Sequence, residues 1–434
     1  MQRREFGRRR GQLMRLLGRD AIAILPAAAV CKRNGDIAYA YRQDSYFQYL
    51  TGFPEPEAVA VLLPGRPQGE YLLFVRDRDR LREDWDGPRA GPQGAVERFG
   101  ADDAFPIADI DEILPGLIEG RARICYSMGA HEEFDPRVLS WVNALRTQAS
   151  DGGRAPQQIA ALAHTIDDLR LYKSRAEQAV LRRAAQITVG AHRRAMRFAR
   201  PGAMEYEVMA EVIHEFKRYN ADLAYHPIVG GGANSCIMHY AANDQALDDG
   251  DLLLLDAGCE LDCYAADVTR TFPVGGRFSP AQRAVYEIVL RAQLAAIDKV
   301  RPGNHWNEPH EAAVRTVTHG LLEIGLLQGR PARLIKDGAY REFFGHRTGH
   351  WLGLDVHDVG DYKVGGEWRV LEPGMALTVE PGIYIRPSRN VPKEFWNIGV
   401  RIEDDLLVGR DGAEVLTDGL EKEPDAVERL VQTA

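Results

Sequence analysis

Four acids and one histidine stand in apolar or glycine-rich surroundings, where charge is costly. They are Asp256 in LLLLDAG, Asp267 in YAADVTRT, His350 in HRTGHWLGLDVHD, Glu380 in ALTVEPG and Glu403 in VRIEDDLLV. Asp256, Glu380 and Glu403 each lie in or end a short apolar run that reads as a buried strand. A buried ionised carboxylate is unfavourable unless something positive compensates it. Arg401 is the sole Lys or Arg within those runs. The simplest compensation for several converging carboxylates is a metal cluster. Four oxygen donors and one imidazole suit a hard to borderline divalent ion, so manganese, cobalt, iron and zinc all qualify. With no cysteine in the set, a structural zinc site is disfavoured. Five ligands are too many for one catalytic metal with an open position, and they suit two ions about 3.5 Å apart. A water shared between such ions becomes hydroxide near neutral pH. The reaction class is then metal-assisted hydrolysis.

Three further histidines, His239, His346 and His357, fall beside these candidate ligands. A hydrolase needs imidazoles to bind the developing oxyanion and to protonate a leaving amine. The glycine run Gly230-Gly231-Gly232 lacks the Lys and Ser/Thr of a phosphate-binding loop. It reads as a flexible loop carrying His239 to the site.

The elements that must position these groups follow from periodicity and punctuation. The first third of the chain alternates short strands with turns and helices. A helix from Glu5 to about Leu17 leads into a strand at Ala21 to Leu25. Ala58 to Gly65 and Tyr71 to Arg76 read as paired strands about a Pro/Gly-rich turn, and Ala122 to Gly129 as another strand. Turn-rich DGGRAP, Asp151 to Pro156, precedes a domain boundary, giving domains 1–168 and 169–434. In the second domain, Ser174 and Glu177 form a capping box. Val180, Ala184, Ile187, Ala191, Ala195 and Phe198 then recur at helical spacing. Tyr206, Met209, Ile213 and Phe216 mark a second helix. The strands carrying Asp256 and Asp267 are expected as neighbours joined by a short turn.

The pattern then repeats. Ser279-Pro280-Ala281-Gln282 opens a helix with proline at its first position, buried along Val285, Ile288, Ala292 and Ala295. Another helix spans about Glu308 to Ile324, and the strands of Glu380 and Glu403 close the half. Arg200-Pro201-Gly202 and Arg301-Pro302-Gly303 each link the two helices of a half. Gly250-x5-Asp256-x-Gly258 matches Gly374-x5-Glu380-x-Gly382. Matching motifs in matching order imply an internal two-fold repeat. Such a pseudo-symmetric pair of hairpins brings four acids to one axis. The expected class is α/β (α+β).

Bulk properties exclude other functions. At 434 residues, 45% hydrophobic and 27% charged, the chain is ordinary for a globular protein, and a net charge of −9 argues against nucleic-acid binding. The arginines near the N-terminus and between Arg76 and Arg82 are interrupted by acids and read as solvated faces. Five scattered cysteines (Cys31, Cys125, Cys236, Cys259 and Cys263) read as free thiols in a reducing cytoplasm. Arg8, Arg9, Arg10 and Pro26 break up what would otherwise imitate a secretion signal. No apolar stretch approaches the ~20 residues of a membrane-spanning helix.

Taken together, the motifs are recognisable. IVGGGANSCIMHY, LLLLDAGCELDCYAADVTRTFPV, GHWLGLDVHDVG, LEPGMALTVEPGIYI and GVRIEDD resemble the pita-bread metallopeptidases, the family of methionine aminopeptidase, prolidase and aminopeptidase P. YRQDSYFQYLTGFPEPEAV resembles the creatinase-type N-terminal domain of its aminopeptidase P branch. The resemblance runs from Phe6 to the end. It implies a creatinase-type N-terminal α/β domain, a pseudo-two-fold pita-bread catalytic domain and two divalent ions, Mn²⁺ foremost, with Zn²⁺, Co²⁺ or Fe²⁺ possible. Asp256 would chelate one ion and His350 bind the other, Asp267 and Glu403 would bridge, and Glu380 would ligate and accept the proton of the attacking water. His239, His346 and His357 would contact the scissile carbonyl and the proline, and Arg401 would shape the proline side. Trp85 would reach a neighbouring subunit's site, which implies a homo-oligomer, a tetramer or dimer. Arg347 replaces the family's usual glycine after His346.

The implied activity is removal of the first residue from Xaa-Pro-Yaa peptides. Prolidase, which cleaves only Xaa-Pro dipeptides, and a non-catalytic peptide-binding relative are the alternatives. The YRQDSYFQYLTGF segment favours the aminopeptidase, and the complete ligand set favours catalysis.

Overall fold

A computed structural model describes residues 2–147 and 154–433. The DGG of the expected turn at Asp151 lies outside them. The chain divides into two compact units, Met1–Arg170 and Leu171–Ala434.

The first unit is built on a six-stranded mixed sheet. Its order is Asp103–Pro106, Tyr71–Val75, Val59–Leu62, Ala21–Pro26, Arg123–Cys125 and Gln158–Ala160. Ala21–Pro26 runs antiparallel to Val59–Leu62 and parallel to Arg123–Cys125. Every residue of Ala21–Pro26, Val59–Leu62 and Tyr71–Val75 is buried. That explains their unbroken apolar composition: both faces of a central strand are covered. Ile110, Leu114, Val138 and Trp141 pack onto the sheet from two helices. Helix Arg3–Leu17 corrects one expectation. Arg9 and Arg10 are buried, Arg9 stacked on Tyr49 at 4.2 Å and Arg10 on Tyr71 at 3.7 Å. Each caps a carbonyl at the end of helix Ser45–Thr51, Tyr49 O at 2.9 Å and Leu50 O at 2.8 Å. Aromatic stacking and carbonyl capping make these two arginines internal fasteners, where charge interruption alone suggests solvation.

The second unit carries the repeat. Ser174 and Glu177 form the expected capping box ahead of helix Arg175–Phe198, and Ser279 and Gln282 form its counterpart ahead of Pro280–Ile297. Helices Glu205–Arg218 and Asn307–Glu323 follow in the two halves. On Glu205–Arg218 the buried stripe is Glu205, Val208, Val212 and Phe216, while Tyr206 is exposed. The stripe is rotated from the expected one because Glu205 turns inward to the backbone N–H of Gly231 and of Gln245.

The two Arg-Pro-Gly links are structurally equivalent. Gly202 and Gly303 take φ of +83° and +89°, a region L side chains avoid. Their N–H groups donate to Leu247 O and Leu371 O at 2.8 and 3.0 Å. Leu247 N–H and Leu371 N–H donate back to Ala203 O and Asn304 O, both at 2.8 Å. The same clamp in each half is direct evidence of duplication.

Sheet strands Ile228–Gly231, Leu252–Asp256 and Thr269–Pro273 belong to the first half. Ala376–Val379 pairs with Asp404–Val408, and Gly382–Ile385 with Ile398–Arg401, in the second. Two expectations change here. A hairpin, Cys259–Leu261 with Tyr264–Ala265, separates Asp256 from Asp267, so no short turn joins them. Gly230 and Gly231 lie in a strand, and a Cβ on Gly230 would meet Asn234 O at 2.9 Å. These glycines serve close backbone approach, which a glycine run in sequence does not distinguish from flexibility.

Candidate active site

The acids sit where strands end. Asp256 is the last residue of Leu252–Asp256, and Asp267 lies just before Thr269–Pro273. Glu380 falls between Ala376–Val379 and Gly382–Ile385, and Glu403 between Ile398–Arg401 and Asp404–Val408. At such breaks a side chain leaves the sheet while its backbone stays fixed. Ala257 N–H donates to Val268 O at 3.0 Å, continuing the ladder beyond Asp256. Gly258 then passes so close to Ala266 that a Cβ would lie 1.7 Å from its carbonyl oxygen. This crossing sets the separation of Asp256 and Asp267.

The halves meet along Arg401–Glu403. Glu403 N–H donates to Thr269 O at 3.0 Å, and Thr269 Oγ1 to Glu403 Oε2 at 2.7 Å. His350 arrives on a segment laid along Ala376–Val379: Thr378 N–H donates to His350 O at 2.9 Å, and Glu380 N–H to Thr348 O at 2.9 Å.

All the sequence-selected residues except Trp85 line one cavity of about 870 Å³. Single donor atoms of Asp267, His350 and Glu403 lie within 4.8 Å of one another. His350 Nε2 lies 3.3 Å from Asp267 Oδ2 and 3.8 Å from Glu380 Oε1. Its Nδ1 is 2.9 Å from Trp351 O. A proton on Nδ1 shared with that carbonyl leaves the Nε2 lone pair aimed at the carboxylates, the arrangement a ligating histidine needs. Asp256 pairs with Arg401, and the Tyr225 hydroxyl bonds both Asp256 and Asp267.

Burial and mutual repulsion shape the electrostatics of these acids. Burial pushes Glu380 up to about 7, against the opposing pull of His350 and Arg401. Burial first, then Asp267 and Glu380, hold Glu403 well above the usual carboxylate range. Asp256 is raised by burial despite Arg401. For His350 burial opposes the charged form, but the hydrogen bond to Asp267 and the charge of Glu380 raise it to about 9. Buried acids that favour protons in this way are what a polyvalent cation would discharge. The donor set, all oxygen plus one imidazole, fits a divalent ion.

A second wall carries the remaining groups. Arg401 donates to the Tyr384 hydroxyl at 2.9 Å, and that hydroxyl lies 3.0 Å from His346 Nε2. His346 Nδ1 is 2.7 Å from Arg347 O and 3.8 Å from Glu380 Oε2. Burial and the nearby Arg401 lower His346 to about 4. His357 stands edge-on to His350, ring centres 4.3 Å apart, and is lowered by burial and by that neighbour. His239 is exposed at the cavity mouth. Trp85 is 88% exposed on helix Arg80–Asp86 of the first unit and is not among the cavity's lining residues.

Tyr225 and Tyr384 are the residues that sequence reasoning passes over. Tyr384 had a signal: it lies on the short apolar strand that directly follows Glu380. Tyr225, in LAYHPIV, had none.

Residues 179–410 match Metallopeptidase family M24, and residues 6–126 match the aminopeptidase P N-terminal domain. This chain belongs to metallopeptidase family M24, in its aminopeptidase P branch. It is 43% identical to the Xaa-Pro aminopeptidase of Escherichia coli strain K12, covering 100% of this chain and 98% of that one. The structure of Pseudomonas aeruginosa aminopeptidase PepP superposes with a TM-score of 0.99 at 56% identity, covering 100% and 98% of the two chains. E. coli aminopeptidase P with the inhibitor Pro-Leu gives 0.97 at 43% identity, covering 100% and 99%. The mixed α/β architecture, an aminopeptidase P N-terminal domain followed by a pita-bread domain, is common to them. Among the described residues no helix is long and apolar enough to cross a membrane, and Cys31, Cys125, Cys236 and Cys259 are free thiols.

Proposed function

We propose that this chain hydrolyses the N-terminal Xaa-Pro bond of peptides, releasing the first residue. The convergence of Asp267, His350 and Glu403 donors in one cavity with Glu380 carries the reading. The relatives named above act on or bind proline peptides by their names, and they cover the whole chain.

In this reading Asp256, Asp267, His350, Glu380 and Glu403 would hold two divalent ions, Mn²⁺ foremost, with Zn²⁺, Co²⁺ or Fe²⁺ as the alternatives. When bound, the ions supply Lewis acidity and make a water nucleophilic at neutral pH. Glu380, whose oxygens lie 3.8 Å from His350 Nε2 and from His346 Nδ1, accepts that water's proton. His346 stays neutral at pH 7 and holds its orientation between Arg347 O and the Tyr384 hydroxyl. Its one N–H is committed to Arg347 O, so it contacts the proline through its ring while His239 and His357 supply ring N–H groups to the scissile carbonyl and the leaving nitrogen. Arg401, fixed by Asp256, Tyr384 and Thr269, closes the proline side. Proline offers no N–H and a fixed φ, so a shaped wall of rings replaces strand pairing.

The same proposal assigns residues 1–168 to the N-terminal domain and 169–434 to catalysis; the two compact units support it. It places the enzyme in the cytoplasm as a homotetramer, with the exposed Trp85 indole serving a neighbouring subunit's site.

Chelator-stripped protein assayed on Xaa-Pro-Yaa tripeptides and Xaa-Pro dipeptides, before and after Mn²⁺, tests the reading. Metal-dependent release of the first residue from tripeptides is expected. Cleavage of dipeptides alone would make the enzyme a prolidase, and no metal-dependent cleavage would leave a binding protein. Glu380→Gln and Asp267→Asn should each lower turnover by at least about 100-fold. Hydrolysis surviving either change would sink the mechanism.

A further inference from the structure

A second cavity, of about 320 Å³, adjoins the first. Met238 and Tyr384 line both. Tyr384 presents its hydroxyl to His346 and Arg401, so its ring forms part of the wall between the catalytic groups and this second space. The far side carries two cations, Arg341 and Arg386, with one acid, Glu342. Arg386 is held by a bond from its guanidinium to Cys236 O at 3.1 Å. That bond leaves further N–H donors of the guanidinium fork to face an incoming group. Arg341 lies 5.9 Å from the Tyr340 ring.

We infer that this cavity is a subsite for the peptide beyond the leaving proline and that Arg386, with Arg341, selects a carboxylate there. The inference rests on the aminopeptidase reading above. With proline held on the His346–Tyr384–Arg401 wall, the chain beyond it runs past Tyr384 and Met238 into the space the arginines line. Planar guanidinium groups recognise carboxylates through paired N–H donors. The ligand class is a peptide carboxylate, either an Asp or Glu side chain or the C-terminus of a short peptide. Glu342 opposes a second acid, so one carboxylate is accommodated.

The test uses full-length, Mn²⁺-loaded protein and four tetrapeptides, Ala-Pro-Ala-Glu and Ala-Pro-Ala-Gln, each as free acid and as C-terminal amide. The Glu/Gln pair as amides isolates a side-chain carboxylate; the acid/amide pair with Gln isolates the terminus. In wild type, kcat/KM for at least one single-carboxylate peptide should exceed that for the uncharged Gln amide by about tenfold. Arg386→Gln should bring that ratio near one, Arg386→Glu should invert it, and Arg386→Lys should restore part of it. Each ratio is read within one variant, so a general loss of activity cancels. A ratio near one in wild type, or one untouched by Arg386→Gln and Arg341→Gln together, overturns the subsite. If wild type cleaves none of the four peptides but remains folded, the aminopeptidase reading fails and the subsite with it.

Discussion

Lys173 and Asp358 form an ion pair sealed from solvent, Nζ to Oδ2 2.8 Å, each side chain 1% exposed. Lys173 N–H also donates to Gly374 O at 2.8 Å, and Asp358 N–H to Trp351 O at 2.9 Å. The pair therefore ties the start of helix Arg175–Phe198 to the loop that carries His350 and His357. Lys173→Met keeps the stem but removes the ammonium that pairs with this buried carboxylate. Breaking such a pair from one side costs about 3–5 kcal/mol. For a unit of this size that corresponds to a melting temperature lower by about 10 °C. The pair itself does little net work against solvation, so Lys173→Met with Asp358→Leu should recover at least half of the loss. Thermal unfolding followed by tryptophan fluorescence measures both, since Trp351 is fully buried and stacked on Tyr362 beside this loop. A loss below about 1 kcal/mol for the single variant, or a double variant no better than the single, would refute the reasoning.

Gly258→Ala puts a methyl 1.7 Å from Ala266 O; it should cost about 1–3 kcal/mol and weaken divalent-ion binding, measured by calorimetry on the same samples. Wild-type binding by such a variant would separate the crossing from the ligand geometry. Metal-free protein should lose stability as pH rises from about 7 to about 9. His350, raised to about 9, binds its proton more tightly folded than unfolded, so its stabilisation disappears through this range, whereas below pH 7 the loss from Glu380 is opposed by His192, His310 and His346, each lowered to about 4. Mn²⁺ should flatten this slope, and urea midpoints with chelator and with metal decide it; a chelated protein more stable at pH 9 than at pH 7 contradicts the assignment. Tyr225→Phe removes the hydroxyl between Asp256 and Asp267 and should destabilise metal-free protein more than metal-loaded protein, by about 1–2 kcal/mol in differential melting.

The sequence was most legible where a local rule had one solution. Capping boxes at Ser174 and Ser279 appear as written, because a side chain three residues away satisfies them without tertiary help. The Arg-Pro-Gly links were visible as a repeat because φ near +85° demands glycine twice. The acids were conspicuous because buried strands rarely end in charge. What escaped notice depends on distant partners. Arg9 and Arg10 look solvated until Tyr49 and Tyr71 supply rings from elsewhere in the fold. The inner face of Glu205–Arg218 is set by Glu205 reaching Gly231, which helical spacing cannot reveal. Tyr225 meets Asp256 and Asp267 across 31 and 42 residues. Gly230 reads as flexible until Asn234 is seen against it.

The run Glu403-Asp404-Asp405 shows why burial alone does not identify a metal ligand. All three carboxylates are buried. Asp404 points to Arg270, Lys422, Gln293 and Thr417, with contacts of 2.6 to 2.8 Å. Burial opposes its charge, but Arg270 and Lys422 prevail and bring it to about 2. It is a closed network with its charge already balanced, and a metal would gain nothing there. Asp405 accepts the Asp267 N–H at 3.1 Å and is held well above the carboxylate range by burial and by Asp267. It fixes the backbone of a ligand from behind. Glu403 faces the cavity with Thr269 as its hydrogen-bond donor and Asp267, Glu380 and Asp256 as like charges around it. Glu403 stands at the break before strand Asp404–Val408, and Asp404 and Asp405 turn to opposite faces within it, so three consecutive acids acquire three different environments. Of the three, Glu403 is the one that lines the cavity among the other carboxylates, and that separates a ligand from its structural neighbours in this fold.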